Sequence, residues 1–156
     1  MKIPVSLLKN PVHLLSVGFG SGLAPKAPGT FGTIAALPFW YVLQFLPPAY
    51  YVVVLILAFI LGVYLCGATA DALGVHDHGG IVWDEFVGLW IALFMVPMHL
   101  GWILLGFALF RLFDIWKPWP IRVLDAKVHG GFGIMIDDVL AGVYAYLTLQ
   151  LLYVLS

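Results

Sequence analysis

The stretch FVGLWIALFMVPMHLGWILLGFALF, residues 86–110, decides how this chain is built. It carries no Asp, Glu, Lys or Arg and is long enough to cross the ~30 Å hydrocarbon core of a bilayer once. A single crossing would put the acidic residues before it and those after it on opposite faces of a membrane, where they could not share a site. Pro97 and Gly101, however, bracket Met98, His99 and Leu100. The break predicts two short arms of roughly 11 and 12 residues, each spanning about 16 to 18 Å at 1.5 Å per residue. A re-entrant or shallow hairpin follows. Irregular backbone at membrane depth needs protein or a wet cavity around it, so the hairpin has to pack against other helices.

The charge pattern around this stretch supports the hairpin. All eight acidic residues fall in two windows, 71–85 and 114–138, whereas residues 27–70, 86–110 and 139–156 hold no Asp, Glu, Lys or Arg. The chain is 63% hydrophobic and only 10% charged, with a mean hydropathy of +1.05. A soluble domain has about 25% charged residues, and one of this size leaves roughly 30% of its unfolded-chain surface in contact with solvent. Lipid is the solvent that this composition suits. A net charge of −1 excludes the basic footprint of a nucleic-acid binder. The single cysteine, Cys66, excludes an internal disulfide framework. Pro4 and Lys9 interrupt the start, so no secretory signal is expected, and 156 residues without an internal repeat read as one domain, 1–156.

Outward from the hairpin, residues 1–15 are mildly amphipathic and are expected on the membrane surface, with Lys2 and Lys9 at headgroup level. The stretch GFGSGLAPKAPGTFGT, residues 18–33, is too rich in glycine, proline and threonine for a continuous helix to be expected. Apolar segments follow at 34–46, 49–70 and 139–155, of which the first and last are marginal in length for a span. With 34–46 and 49–70 as one hairpin and 86–110 as another, every Lys and Arg falls on one side, which the positive-inside bias makes cytoplasmic. Trp83, Trp116 and Trp119 are then expected at the inner interface, with Tyr50 and Tyr51 at the opposite turn. The expected fold is all-α, a compact multi-helix membrane bundle with short or re-entrant hairpins and a polar site at its cytoplasmic edge.

The chemistry lies in the polar pieces. Asp84 and Glu85 directly precede an apolar run, and the plain reading is helix capping. Capping alone leaves two adjacent carboxylates, with Asp77 seven residues earlier, unexplained. Asp137 and Asp138 also open an apolar segment, and helical neighbours point about 100° apart, so one member of each pair can cap while the other faces a site. Between the pairs lies FRLFDIWKPWPIRVLDAKVHGGFG, residues 110–133, in which Arg111, Asp114 and Lys117 form an i, i+3 ladder. At the end of an uncharged stretch this mixture reads better as an anion site, where carboxylates collect a hard cation and Lys or Arg meets phosphate oxygens. Mg²⁺ suits it, because it binds through one or two carboxylates plus substrate phosphate.

Other motifs are weaker or absent. His76 and His78 flank Asp77 and read as solvated or interfacial loop residues rather than ligands, and His129 is placed near a headgroup. Cys66 reads as a packing residue, since Ala72 stands where a cysteine phosphatase has arginine. The chain lacks the Asp-x-Asp pair of aspartyl phosphatases, the residue series of histidine-dependent lipid phosphatases and the nucleotide P-loop. The backbone around Gly18, Gly20 and Gly22, with Lys26, Thr30 and Thr33, can still cradle a phosphate.

Four segments, GFGSGLAPKAPGTFGT, DHGGIVWDEFVG, FRLFDIWKPWPI and GGFGIMIDDVLAG, in this order and at this spacing, closely resemble the phosphatidylglycerophosphatase A family of bacteria. The resemblance runs from about residue 13 to residue 144. It implies an all-helical, Mg²⁺-dependent phosphatase of the bacterial inner membrane that removes the terminal phosphate of phosphatidylglycerophosphate on the cytoplasmic side, leaving phosphatidylglycerol. On that footing Asp84, Glu85, Asp137 and Asp138 are the expected metal ligands, completed by Asp77 or Asp114. Asp84, Glu85, Asp114 and Asp138 are the expected catalytic carboxylates. Lys26, Arg111, Lys117 and the amides around Gly29 and Thr30 are the expected phosphate contacts. Membrane lipids are expected partners, a second copy of the chain stays open as one, and nucleic acid is not expected. Two readings compete: a phosphatase for another anionic lipid phosphate, and a noncatalytic transport or scaffold protein, the former with the same site and the latter leaving the clustered charges without a purpose.

Overall fold

A computed structural model describes residues 3–75 and 78–156 of the chain. The described residues form helices and turns with no strand, as expected. A 3₁₀ turn over Val5–Lys9 leads into α1 (Pro11–Ser16), α2 (Pro28–Leu43), α3 (Pro48–Leu73), α4 (Trp83–Ala92), α5 (Leu100–Trp116), α6 (Ile121–Lys127) and α7 (Gly130–Leu155). Helices α1, α2 and α3 each open on proline, whose missing N–H is unpaired at a helix start in any case and whose fixed φ suits the first turn.

Helix α4 is the centre of the bundle. Residues 81–90 are all buried, and α4 packs against α2, α3, α5 and α7. Its closest neighbour is α7, where Gly88 and Gly142 let the two backbones meet: a Cβ on Gly142 would strike the Gly88 carbonyl. At ten residues α4 spans only ~15 Å and cannot cross a bilayer. The chain turns back at residues 93–99, so the 86–110 stretch does form a hairpin, but its arms are unequal. Helix α5 runs on past residue 110 to Trp116 and carries Arg111 and Asp114 on its last turns.

Side chains from three helices satisfy the carbonyls that the end of α4 and this turn expose. Tyr51 Oη donates to Trp90 O, Trp40 Nε1 donates to Leu93 O at 3.1 Å, and Gln150 Nε2 donates to Phe94 O at 3.4 Å. That is the covering that irregular backbone needs in an apolar medium.

Several expectations are corrected. Helix α2 begins at Pro28, inside the glycine-rich stretch, because its small residues let it approach the core: a Cβ on Gly32 would lie 2.5 Å from Val82 Cβ. The last apolar segment is not marginal, since α7 starts at Gly130 and runs 26 residues. The N-terminal segment does not simply lie on the surface. His13 Nδ1 shares a buried 2.8 Å hydrogen bond with Thr69 Oγ1, and Ser16 Oγ donates to Leu65 O at 2.7 Å, which docks α1 on α3. Trp83 and Tyr51 are not interfacial residues. Both are buried, and Trp83 Nε1 donates to Ala58 O. Trp116, Trp119 and Tyr50 are exposed as an interface requires.

Helices α3 and α7 are long and apolar enough to cross a membrane, and only 28% of each apolar window is buried inside the protein. The remainder is apolar surface suited to lipid, so the fold supports membrane association.

Candidate functional site

The starts of α2 and α4, the end of α5 and the early turns of α7 converge on a cavity of about 330 Å³. Helix α4 brings Asp84 and Glu85 in its first turn, where the helix dipole favours carboxylates. Asp84 Oδ1 accepts the Glu85 N–H at 3.0 Å. Helix α7 brings Asp137 and Asp138, but not as its opening residues. The helix begins at Gly130, so the pair lies about two turns in and caps nothing, and both side chains are buried. Helix α5 brings Arg111 and Asp114, with Lys117 just past its end in the left-handed region at φ 52°.

Five carboxylates of this cavity are at most 9% exposed: Asp84, Glu85, Asp114, Asp137 and Asp138. Oxygens of Asp84, Glu85 and Asp138 all lie within 4.8 Å of one another. Against them stand Arg111 and Lys117. Arg111 Nη1 donates to Glu85 Oε2 at 3.2 Å and also to Asp114 Oδ2, tying α5 to α4. Burial pushes the Glu85 carboxyl well above its usual range, with Asp114 and Asp84 adding to the rise and Arg111 opposing it. Burial lowers the Lys117 ammonium, but Asp114, Asp138, Asp125 and Asp137 outweigh that and raise it. Lys117 therefore stays a cation.

Among the described residues, the buried side-chain atoms Asp138 Oδ2 and Arg111 Nε lack a hydrogen-bond partner. One is an acceptor and the other a donor, which is what a cavity shaped for a cation and an anion together presents. An excess of carboxylates over cations at this burial is costly without a counter-charge. The all-oxygen donor set fits a hard divalent ion, with Asp84, Glu85 and Asp138 to hold it.

Of the residues singled out from sequence, Asp84, Glu85, Asp114, Asp137, Asp138, Gly29, Arg111 and Lys117 all line this cavity. Lys26 is exposed and Thr30 half-buried, and neither lines it. Asp77 lies outside the described residues. Sequence reasoning missed Pro28, Ile81 and Ile134 as walls and read His78 as a solvated or interfacial loop residue; it is half-buried and lines the cavity beside Gly79. The neighbouring Gly79-Gly80 pair was the available signal, since it lets the loop press close. Gly29 has a steric role of its own. A Cβ there would lie 3.1 Å from Arg111 Nη1 and 3.2 Å from Glu85 Oε1.

Fold and site together define a helical, membrane-associating protein with a buried acidic centre at one end of its bundle. The chain belongs to the phosphatidylglycerophosphatase A family, which matches residues 14–153. It is 58% identical over 137 residues to phosphatidylglycerophosphatase A of Escherichia coli (strain K12), covering 87% of this chain and 80% of the relative. It is 55% identical over 143 residues to the Haemophilus influenzae protein of the same name, covering 90% and 87%. A Bacteroides thetaiotaomicron protein, provisionally named a phosphatidylinositol-3-phosphatase, is 40% identical over 142 residues, covering 86% of this chain and 88% of that protein. No solved structure matches the chain.

Proposed function

We propose that this protein hydrolyses the terminal phosphomonoester of phosphatidylglycerophosphate, releasing phosphate and phosphatidylglycerol. The observation that carries the reading is the single cavity in which four helices gather five buried carboxylates around Arg111 and Lys117, in a chain of this family. Water supplies the oxygen that forms the new P–O bond, the P–O bond to the glycerol breaks, and the leaving oxygen takes up a proton.

Mg²⁺ is the ion we assign to Asp84, Glu85 and Asp138, with Asp137 beside them; when bound it supplies Lewis acidity at the phosphate and lowers the pKa of water. Arg111 and Lys117 face the phosphate oxygens and stabilise their charge, and the Gly29 amide adds a donor at the positive end of α2. Asp114 and Glu85 hold the Arg111 fork in place. The buried carboxylates that do not bind the ion accept or return a proton.

We place α3 and α7 across the bacterial inner membrane, with α4 and α5 as a re-entrant pair and the site on the cytoplasmic side. The support is charge: the described Lys and Arg residues lie in the segments at the site end of the bundle, and none lies in α3 or α7.

The test is phosphate release from phosphatidylglycerophosphate by detergent-purified protein, with Mg²⁺ and then with excess chelator, against phosphatidic acid in parallel. Mg²⁺-dependent release that prefers phosphatidylglycerophosphate is expected. Release only from other lipid phosphates would reassign the substrate, and none from folded protein would end the enzymatic reading.

A further inference from the structure

The two cations of the cavity are held in different ways. Arg111 is fixed through its side chain, by Glu85 and Asp114. Lys117 is fixed through its backbone, in the 117–120 turn between α5 and α6. That backbone is left-handed, φ 52° and ψ 61°, a conformation that glycine commonly supplies after a helix. A residue with a side chain keeps it only where the surroundings hold it there. Side chains of two other helices do so. Arg122 Nη2 of α6 donates to Trp116 O at 3.1 Å, and Tyr144 Oη of α7 donates to Trp119 O at 3.0 Å. The Tyr144 ring also meets Phe113 edge-on with centroids 5.7 Å apart, and Phe113 stacks on Trp116 at 6.3 Å. Neither Arg122 nor Tyr144 lines the cavity.

Resting on the reading above, we propose that Tyr144 and Arg122 are positioning residues for Lys117, bracing its turn so that the ammonium meets the phosphate oxygens. The carbonyl before Lys117 and a carbonyl after it are both pinned, and the Lys117 N–H itself donates to Phe113 O at 2.9 Å. The direction in which the side chain leaves the backbone is thereby set from both sides. Arg122 adds a charge at the carbonyl end of α5, where the helix dipole favours a cation. Tyr144 stands on the same helix as Asp137 and Asp138, so α7 fixes the basic turn relative to the acidic wall. That spacing matters for catalysis, because a cation displaced by about 1 Å no longer matches the charge that develops in the transition state. Neither residue touches the substrate; both act through Lys117.

The experiment is a double-mutant cycle on turnover of phosphatidylglycerophosphate in mixed micelles, with melting temperatures measured alongside. Tyr144→Phe keeps the ring on Phe113 and removes the hydroxyl. Arg122→Leu removes the other donor at an exposed contact, and Arg122→Lys retains a cationic one. Tyr144→Phe and Arg122→Leu are each expected to lower kcat about three- to tenfold with KM within about twofold, and Arg122→Lys to recover most of the loss. In a Lys117→Met background, itself expected to be slower by about 10²-fold, the same substitutions are expected to change nothing further. Equal losses in both backgrounds would make the contacts merely structural and overturn the proposal. Full turnover in Lys117→Met, or in both Tyr144→Phe and Arg122→Leu, would overturn it as well. Wild-type protein without turnover would instead refute the enzymatic reading. Equilibrium binding of inorganic phosphate across the same cycle decides the positioning role in that case, or where Lys117→Met is too slow to assay: weakening that vanishes in Lys117→Met is expected, and equal weakening in both backgrounds overturns it.

Discussion

Arg111 Nη1 reaches across from α5 to Glu85 Oε2 on α4 at 3.2 Å while also holding Asp114 one turn further along its own helix. One guanidinium thus sets the spacing of the two helix ends that form the basic and acidic sides of the cavity. Lysine has a single compact ammonium and cannot serve both partners with the same geometry. Arg111→Lys is expected to lower kcat by about 10²-fold, with a smaller change in KM, in a phosphate-release assay.

Gly29 sits where the start of α2 meets that bridge. A methyl group there would lie 3.1 Å from Arg111 Nη1 and 3.2 Å from Glu85 Oε1, so the bridge or the helix has to shift. Gly29→Ala is expected to lower kcat/KM by roughly 10- to 100-fold with less than about 1 kcal/mol lost in stability. An equal fall in activity and melting temperature would point to misfolding instead.

Asp138 presents a buried oxygen without a hydrogen-bond partner among carboxylates that repel one another. A divalent ion that binds only the folded state raises its stability by about 2.7 kcal/mol at a hundred times its dissociation constant. Wild-type protein is expected to melt higher with Mg²⁺ than with chelator, and Asp138→Asn to lose both this increment and at least ~10³-fold in turnover. Asp84→Asn is expected to behave alike. A full Mg²⁺ increment in Asp138→Asn would remove that residue from the ligand set.

Tyr51 tests the far end of the bundle. Its hydroxyl is the donor to Trp90 O, so Tyr51→Phe leaves a buried carbonyl unsatisfied at about 1–3 kcal/mol. The expected result is a lower melting temperature with kcat largely kept at low temperature, because the catalytic side chains lie at the opposite end.

The turn at residues 93–99 fixes the topology. In a Cys66→Ala background, single cysteines at His99 and at Lys127 are expected to be labelled from opposite faces of the membrane, since both positions are exposed and the hairpin separates them. Labelling of both from the site side would mean that the 93–99 turn does not reach the far face of the membrane.

Much of the site was legible because charge is so scarce in this chain. Asp84, Glu85, Asp137, Asp138, Arg111 and Lys117 stand out between uncharged stretches, and a helical protein in lipid has few other reasons to keep them. Lys26 and Thr30 stand out equally in sequence, yet neither lines the cavity, because α2 starts at Pro28 and presents Gly29 to it. Nothing local separates a loop lysine beside a site from one facing water. His78 is the converse case: an ordinary loop histidine by sequence, it becomes a cavity wall through backbone contact between Gly80 and Gly22.

The sequence by itself determined the helical class, the apolar segments, the break near Pro97 and the carboxylate pairs, since periodicity, length and charge are local properties. Tertiary structure alone decided that α4 is the buried centre, that Asp137 and Asp138 lie inside α7 rather than at its start, and that Arg111 bridges two helices. Those facts depend on which glycines let backbones meet, as at Gly88 and Gly142, and on which side chains cover the carbonyls of the turn. Close packing couples residues far apart in sequence, and only the folded arrangement shows which of them meet.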